Sequence, residues 1–354
     1  IACRDGEYEH ALELVERSLV KNSHNIKARG LKAVLLRKLN RTEEAANWRT
    51  ENLELDAFDY VTLFENVLAG KDEEKNYSAE KVFQERSRGF YETYLQTARD
   101  YAEYGCLKEA ICILKSCAVQ QPMIYYYQAY YQQKLEAFID ENLNTNRENN
   151  GIAAQGLLQK TNVETEKDTV KVLYEKAEQC TPDYCFPNKL EDIAVLEQAI
   201  AANPKGAKAY YYLGNLYYDK LRYDRAIALW EQSIMLDASY STAHRNLAIA
   251  YYNKRQDAEA ARKELEQAFA LDETDSRVFL ELDQLYKKLG VPFAERLKQY
   301  EAREALVRER DDAMLEWVTL YNLNGEPQKA YDLIMSHSFR PWEGAEGRIS
   351  GQYK

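Results

Sequence analysis

The C-terminal stretch SHSFRPWEGAEGRISGQYK combines side chains that could bind a polar ligand. An arginine is a natural partner for a carboxylate, and a glutamate can accept hydrogen bonds from sugar hydroxyls. One hypothesis is therefore a polar site that this loop completes together with a further domain. Its candidate residues are His337, Arg340, Trp342, Glu343 and Glu346.

The same stretch could instead be a structured connector to a further repeat. Pro341 stops helix propagation, while Gly344 and Gly347 allow sharp turns of the backbone. Phe339 and Trp342 could anchor such a loop by packing onto the preceding helices. Both hypotheses stay open from the sequence, and they differ in what the polar side chains do.

The cysteines and histidines of the sequence form no metal or redox motif. No two cysteines form a C-x-x-C pair, and the histidines are far apart along the chain. We therefore expect buried, reduced thiols, no metal ion, no cofactor, and a reducing compartment such as the cytoplasm. The residues are Cys3, Cys106, Cys112, Cys117, Cys180, Cys185, His10, His24, His244 and His337.

Motifs of the common enzyme classes are also missing from the sequence. It contains no G-x-S-x-G elbow, no P-loop, no H-E-x-x-H and no G-x-G-x-x-G. The net charge of −11 over 354 residues disfavours nucleic acid as a partner, because phosphate-backbone binding needs a basic face. No apolar run is long enough to cross a bilayer. We therefore expect no catalysis by this segment alone and no nucleic-acid or membrane partner.

A repeat of 34 residues stands out in the second half of the sequence. The unit AKAYYYLGNLYYDKLRYDRAIALWEQSIMLDAS places an aromatic, Leu-Gly and a tyrosine before an alanine and a second aromatic. Tyr251 follows Tyr217 by 34 residues, and the second helix of that next unit comes one residue late. The residues that carry the pattern are Tyr210, Leu213, Gly214, Tyr217, Ala226, Trp230, His244, Leu247, Ala248, Tyr251, Ala261, Leu265 and Ala268.

This pattern resembles the tetratricopeptide-repeat (TPR) family. The resemblance implies an all-α fold, a right-handed α-solenoid of helix-turn-helix repeats, in which small residues let neighbouring helices approach and bulky residues fill the space between pairs. The scarcity of glycine and proline, 14 and 7 residues, is typical of helices. The predicted divisions are TPR-like helices in 1–139, an irregular insertion and connector in 140–187, TPR repeats in 188–340, and a loop in 341–354 that leads to a further repeat.

The resemblance also implies a binding surface on the concave face, which the first helix of each repeat lines. Some TPR proteins clamp a C-terminal carboxylate there with lysine, asparagine and arginine. Asn215 and Asn246 match the two asparagine positions, but Tyr211 replaces a lysine and Glu281 replaces an arginine. A general peptide or protein groove is therefore favoured over a carboxylate clamp. The candidate residues are Tyr211, Asn215, Tyr218, Arg245, Asn246, Tyr252 and Arg277.

Three segments, around 185–227, 281–290 and 337–353, are similar to a set of large bacterial proteins. These join a β-sandwich resembling sugar mutarotases to TPR repeats. The chain opens without a methionine, inside a repeating unit, so we expect it to be the helical part of such a protein. Two functions follow as hypotheses: a non-catalytic TPR scaffold that binds a protein partner or its own N-terminal domain, or the helical half of a carbohydrate-active enzyme.

Overall fold

The computed structural model describes residues 1–70, 76–148, 170–182, 185–340 and 347–353. Regular secondary structure in these ranges is helical throughout. This confirms the predicted all-α class built from paired helices. The chain divides into two compact units, Ile1–Lys208 (unit 1) and Ala209–Lys354 (unit 2).

Unit 1 consists of helices that pack mainly against their neighbours along the chain, whereas its last helix, Leu190–Ala202, packs against Pro122–Glu148. In addition, α2 contacts α4, α4 contacts α6, and α6 contacts α8, so that alternate helices lie side by side as expected for stacked hairpins. The helices are α1 (Tyr8–Lys21), α2 (Ile26–Lys38), α3 (Thr42–Leu55), α4 (Tyr60–Ala69), α5 (Asn76–Ser87), α6 (Tyr91–Glu103), α7 (Leu107–Lys115), α8 (Pro122–Glu148), α9 (Val170–Gln179) and α10 (Leu190–Ala202).

Unit 2 continues the same kind of packing, with α13 against both α12 and α14, and α14 against α15. Its first helix begins just before the division between the units. The helices are α11 (Ala207–Asp219), α12 (Tyr223–Leu236), α13 (Ser241–Ala250), α14 (Ala258–Leu271), α15 (Ser276–Lys288), α16 (Phe293–Glu301), α17 (Glu304–Val307), α18 (Asp311–Leu323) and α19 (Pro327–Met335). A 3-10 turn, Ser350–Tyr353, contacts α18.

Several helices begin at a side chain that caps their first turn. The side chains of Asn25, Asp59, Asp257 and Asp275 each accept a hydrogen bond from a backbone N–H group in the first turn of α2, α4, α14 and α15. Such caps satisfy backbone donors that have no partner within the helix, and each typically stabilises it by about 1 kcal/mol. Short polar residues thus fix where the helices of a hairpin start.

A recurrent aspartate shapes the loops that join successive hairpins of unit 2. Asp237 ends α12, and its side chain accepts a hydrogen bond from the backbone N–H of Ser239 at 3.0 Å. Asp272 ends α14 and accepts from the backbone N–H of Thr274 at the same distance. This side-chain turn reverses the chain without a glycine.

Gly214 and Trp230 hold the first hairpin of unit 2 together. A Cβ atom on Gly214 would lie 2.5 Å from Nε1 of Trp230, so only glycine fits at this position. Trp230 is 2% exposed, and Leu216 of α11 and Ala226 of α12 are fully buried. The sequence pattern of a glycine in the first helix and an aromatic in the second therefore reflects direct contact between the two helices.

A single π-helical turn, Tyr251–Arg255, follows α13. It ends at Gln256, whose φ of 56° places this non-glycine residue in the left-handed region. A π-turn contains one residue more than the corresponding α-helical turn. This explains why Ala261 and its helix come one residue late in the repeat.

The predicted insertion at 140–187 is only partly within the described residues. Helix α8 continues across its first boundary to Glu148, and Val170–Gln179 is helical, while 149–169 and 183–184 lie outside them. Four of the six cysteines are buried as predicted, namely Cys3, Cys106, Cys180 and Cys185. In the described ranges, every helix falls short of the length and apolar character needed to cross a membrane.

Candidate functional site

Asn215 is the centre of a polar surface on the first helices of unit 2. Its side-chain oxygen accepts hydrogen bonds from Nε1 of Trp230 at 3.0 Å and from Nδ2 of Asn246 at 3.1 Å. Trp230 lies below it because Gly214 leaves room for the indole. The packing of one hairpin thus fixes the orientation of a half-buried amide.

Arg245 extends this surface from α13 to α15. Its guanidinium donates to Glu281 from Nε at 2.6 Å, and its Nη1 donates to the side-chain oxygen of Asn246 at 3.3 Å. Arg277 donates to the same Glu281 from Nε at 3.1 Å. The Arg245 side chain is 14% exposed and that of Arg277 is 62% exposed. The Arg245 side chain is therefore largely covered, whereas that of Arg277 is open to solvent.

Two predicted tyrosines border the polar residues. The ring of Tyr211 is buried against Tyr240, with ring centroids 4.6 Å apart, and its hydroxyl lies 3.5 Å from Nδ2 of Asn246. Tyr218 packs on Trp230 with centroids 5.3 Å apart. Both rings therefore form a rigid wall rather than an open stacking platform.

Tyr252 lies beside a small hollow next to Glu281. The hollow has a volume of about 190 Å³, and its lining includes Gln284 and Lys288. Nζ of Lys288 lies 4.6 Å from the centroid of the Tyr252 ring, within cation–π range. The hollow is large enough for one short side chain of a ligand.

We call the continuous polar surface of α11, α13 and α15 the Asn–Arg face. It is defined by Tyr211, Asn215, Arg245, Asn246, Arg277 and Glu281. The sequence-predicted residues are thus brought together, with Tyr218 and Tyr252 at its borders. In the sequence, Glu281 stood out only because it replaces an arginine of the carboxylate clamp. The structure shows that this carboxylate bridges two arginines.

The predicted polar loop follows α19, and its first residues contact the start of α18. Nε2 of His337 lies 2.6 Å from Oδ1 of Asp311, and the backbone N–H of Arg340 donates to Oδ2 of the same carboxylate at 2.7 Å. Burial opposes ionisation of Asp311, but the hydrogen bonds from His337 and Arg340 outweigh it, so that the pKa of Asp311 is lowered. Trp342, Glu343 and Glu346, which the prediction also named, lie outside the described residues.

Residues 214–254 match the family model described as TPR repeat. The chain carries a tetratricopeptide repeat. The matched range contains Gly214, Asn215, Trp230 and both Arg245 and Asn246, so three of the six residues that define the Asn–Arg face lie within it. In the described part of the chain, no cluster of three or more histidine, cysteine, aspartate or glutamate residues is arranged to hold a metal ion.

Several solved structures are similar to this chain. MamA is 20% identical, with 57% of this chain and 90% of MamA covered and a TM-score of 0.26. YrrB, a TPR protein with an unusual peptide-binding site, is 14% identical, with coverage of 77% and 99% and a TM-score of 0.27. The pilF protein of Pseudomonas aeruginosa is 14% identical, with coverage of 71% and 91% and a TM-score of 0.37.

The sequence did not predict two sets of buried ion pairs, which join neighbouring helices. In unit 2, the fully buried Arg296 donates to Asp283 at 2.8 Å and to Glu316 at 2.7 Å. In unit 1, the buried Glu65 accepts from Arg37 at 2.6 Å. Charged residues at these positions look like solvated helix faces in the sequence, because the pairs are between 13 and 28 residues apart.

Proposed function

We propose that unit 2 is a protein-interaction module whose Asn–Arg face binds an extended internal segment of a protein partner. The side-chain amides of Asn215 and Asn246 would bind the peptide groups of the segment. Arg277 would bind an acidic side chain, and the hollow beside Tyr252 would hold a small one. The match of 214–254 to a TPR repeat supports this proposal, since Asn215, Arg245 and Asn246 of the face lie in this range.

The observation that carries the proposal is the hydrogen-bonded pair of Asn215 and Asn246. Their side chains are half-buried, and they are held by Trp230 from below and by Arg245 from the side. An amide fixed in this way loses little conformational entropy when it binds a peptide backbone. Such preorganisation distinguishes a binding surface from an ordinary solvated helix face.

Glu281 supports an internal segment over a C-terminal carboxylate. A carboxylate clamp requires unneutralised cations, whereas Glu281 occupies the position of a clamp arginine and neutralises part of the charge of Arg245 and Arg277. A second carboxylate beside it would be repelled unless it approached Arg277 from the exposed side. The face is therefore suited to peptide groups and to a single acidic side chain that approaches Arg277 from its exposed side.

The test uses a displayed library of random dodecamer peptides with free and amidated C-termini. We expect the wild-type chain to select peptides whose binding does not depend on a free C-terminus. The combined Asn215→Ala and Arg245→Ala change should weaken them at least tenfold, since truncation of hot-spot residues typically costs about 2 kcal/mol or more. The matched control is Arg262→Ala with Gln267→Ala on α14, which leaves the face intact.

Glu281→Gln gives a sharper test of the same face. Removing this carboxylate frees both arginines, so acidic members of the selected peptides should bind several-fold more tightly while neutral members change little. Equal binding by the wild type and the double alanine variant, or selection of free C-termini alone, would contradict the proposed function.

The alternative hypothesis concerns carbohydrate chemistry and rests on the exposed Arg340 side chain beside Asp311. In this hypothesis the loop presents Arg340 and Glu343 to a sugar-binding β-sandwich of a longer bacterial protein. Arg340→Met keeps the backbone hydrogen bond to Asp311 and removes only the guanidinium. In the longest available form of the protein, Arg340→Met and Glu343→Gln should then abolish monosaccharide binding in calorimetry at an unchanged melting temperature. Unchanged binding would leave the loop as a connector.

A further inference from the structure

A groove lies within unit 1, which does not include the matched range 214–254. It is bounded by α6, the first turn of α7 and the middle of α8, and it has a volume of about 610 Å³. This volume falls within the range of about 300–1,000 Å³ that is typical of ligand sites. We call it the unit 1 groove. Its lining includes Arg4, Leu107, Lys108, Lys134, Leu135 and Ile139.

The N-terminal turn forms one edge of the unit 1 groove. A Cβ atom on Gly105 would lie 2.9 Å from Cα of Arg4, and Gly105 has a φ of 83°. Only glycine meets both conditions, so Gly105 allows the N-terminal turn to lie directly against the end of α6. Nε of Arg4 donates to the backbone oxygen of Glu103 at 2.9 Å, which fixes the arginine at this edge.

Most acidic groups of the groove already have a cationic partner. Glu109 forms ion pairs with Lys38 and with Arg37, the latter at 3.0 Å. Glu103 lies 3.7 Å from Nζ of Lys27. These carboxylates are therefore neutralised inside unit 1 and contribute little negative charge to a ligand.

Glu191 is the remaining acid, and its charge is weakened. Burial raises its pKa, although Lys134 partly offsets this effect. Its Oε1 accepts a hydrogen bond from the hydroxyl of Tyr131 at 3.3 Å. Because burial disfavours the ionised form, Glu191 opposes an anionic ligand less than an exposed carboxylate would.

The cations at the rim have no such partners. In the described ranges, Arg4, Lys108 and Lys134 have no carboxylate oxygen within 4.0 Å. Nζ of Lys134 lies 4.3 Å from the centroid of the Tyr130 ring, and it acts on Glu191 only from beyond ion-pair distance. Lys108 and Lys134 are both exposed. The uncompensated charge of the groove is thus positive, in a protein of net charge −11.

Apolar side chains form the floor between these cations. Leu107 from α7 and Leu135 and Ile139 from α8 are half-buried and line the groove together. Burying a leucine-sized side chain against such a surface contributes roughly 1.5–3 kcal/mol. A ligand that fits this groove needs an apolar group flanked by negative charge.

We propose that the unit 1 groove binds an acidic peptide segment with a leucine-sized side chain, at a site separate from the Asn–Arg face. The apolar side chain would contact Leu107 and Leu135, and flanking carboxylates would reach Lys108, Lys134 and Arg4. A nucleic acid fits less well, because three cations next to Glu103, Glu109 and Glu191 cannot neutralise a continuous phosphate backbone.

The test uses the fluorescein-labelled peptide acetyl-Glu-Glu-Leu-Glu-Glu-Leu-Glu-Glu-amide and fluorescence polarisation. We expect saturable micromolar binding that weakens as the salt concentration rises, since exposed charges supply part of the attraction. A peptide with glutamine in place of both leucines should bind at least tenfold more weakly. A peptide with lysine in place of every glutamate should not bind in the groove.

Charge reversal locates the site. Lys108→Glu with Lys134→Glu should weaken binding of the acidic probe at least tenfold. The change at 108 is compatible with folding, because it adds an acid to the first turn of α7. The matched control, Lys205→Glu with Lys263→Glu, changes the net charge equally at exposed positions outside the groove lining and should bind normally.

Other outcomes would overturn the proposal. It fails if the acidic probe does not bind, if both charge-reversed proteins lose binding equally, or if the glutamine-containing peptide binds as well as the leucine-containing one. It also fails if Arg277→Glu abolishes binding while the 108 and 134 changes do not, since the probe would then occupy the Asn–Arg face. Leu135→Asn supplies an independent check and should weaken the leucine-containing probe alone.

Discussion

Arg296 is a buried charged residue that connects three helices of unit 2. Its side chain is fully buried, and it donates to Asp283 through both Nε and Nη2 and to Glu316 through Nη2. The hydroxyl of Tyr300 donates to Asp283 at 2.8 Å and completes the cluster. Buried charges of this kind are tolerated only because each has a partner, so the cluster ties α15, α16 and α18 in one arrangement.

Arg296→Met should therefore destabilise unit 2 strongly. The change leaves Asp283 and Glu316 buried without their main cation, which typically costs about 3–5 kcal/mol. Urea unfolding would measure the loss in the free energy of unfolding, with hydrogen exchange of the α15 and α18 amides as the readout. Arg262→Met is the matched control, because Arg262 pairs with Glu259 on the exposed face of α14 and should change little. A small effect of Arg296→Met would show that the buried carboxylates become protonated or hydrated at little cost.

The same cluster predicts how the stability of unit 2 depends on acid. Burial opposes ionisation of Glu316, but hydrogen bonds from Lys287 and Arg296 outweigh it and lower its pKa below the usual 4.5. The stabilisation is therefore present above about pH 4.5 and is lost as the pH falls through the lower pKa of the folded state. Glu316→Gln should flatten the pH dependence of unfolding in this range. Glu304→Gln, at an exposed position on α17, is the control that should leave the slope unchanged.

At the scale of single elements, Gly214 shows how closely α11 and α12 approach. Gly214→Ala forces a methyl group to within 2.5 Å of the Trp230 indole, so the hairpin must open or the indole must turn. Overpacking of this kind usually costs about 1–3 kcal/mol. Thermal unfolding would record the loss. Gly351→Ala, where a Cβ would meet nothing within 4 Å, should leave the melting temperature nearly unchanged.

The turn between α11 and α12 contains a strained residue, Leu221, with a φ of 60°. A non-glycine residue in this region costs roughly 1–2 kcal/mol, whereas glycine loses about 0.5–1 kcal/mol in unfolded-state entropy. Leu221→Gly should therefore raise the stability by up to about 1 kcal/mol, measured as a rise in the urea midpoint. Met235→Gly, at an exposed helical position, should have the opposite sign.

The sequence predicted the helix contacts whose residues recur at fixed positions of the repeat. The repeat pattern located Gly214 and Trp230, because they contact each other between the two helices of one hairpin. The resemblance to a carboxylate clamp located Asn215 and Asn246. It did not predict that Glu281 would join two arginines, since this ion pair spans 36 residues from Arg245 and depends on the rotation of α15. The unit 1 groove was also missed, because Arg4, Lys108 and Lys134 are brought together only by packing.

At the scale of the whole molecule, the net charge of −11 governs encounters with other polyelectrolytes. A duplex of DNA is repelled at long range, and the cations of both proposed sites are too few to reverse this. We expect no mobility shift of a 20-base-pair duplex at low salt, where electrostatic binding is strongest. A shift that the charge-reversed Lys108→Glu and Lys134→Glu protein lacks would reassign the unit 1 groove to nucleic acid.

Because of the π-turn at Tyr251–Arg255, the repeats of this protein cannot be exchanged as segments of identical length. Chimeric arrays are commonly assembled by joining repeats of identical length, as if each boundary were equivalent. Here the extra residue displaces α14 by one position relative to a 34-residue template. Because successive residues of an α-helix lie about 100° apart around its axis, the template assigns each side chain of α14 to the wrong direction. A donor cassette cut at the usual period would present Ala261 and Leu265 to solvent, whereas one that includes the additional residue would keep them in the core.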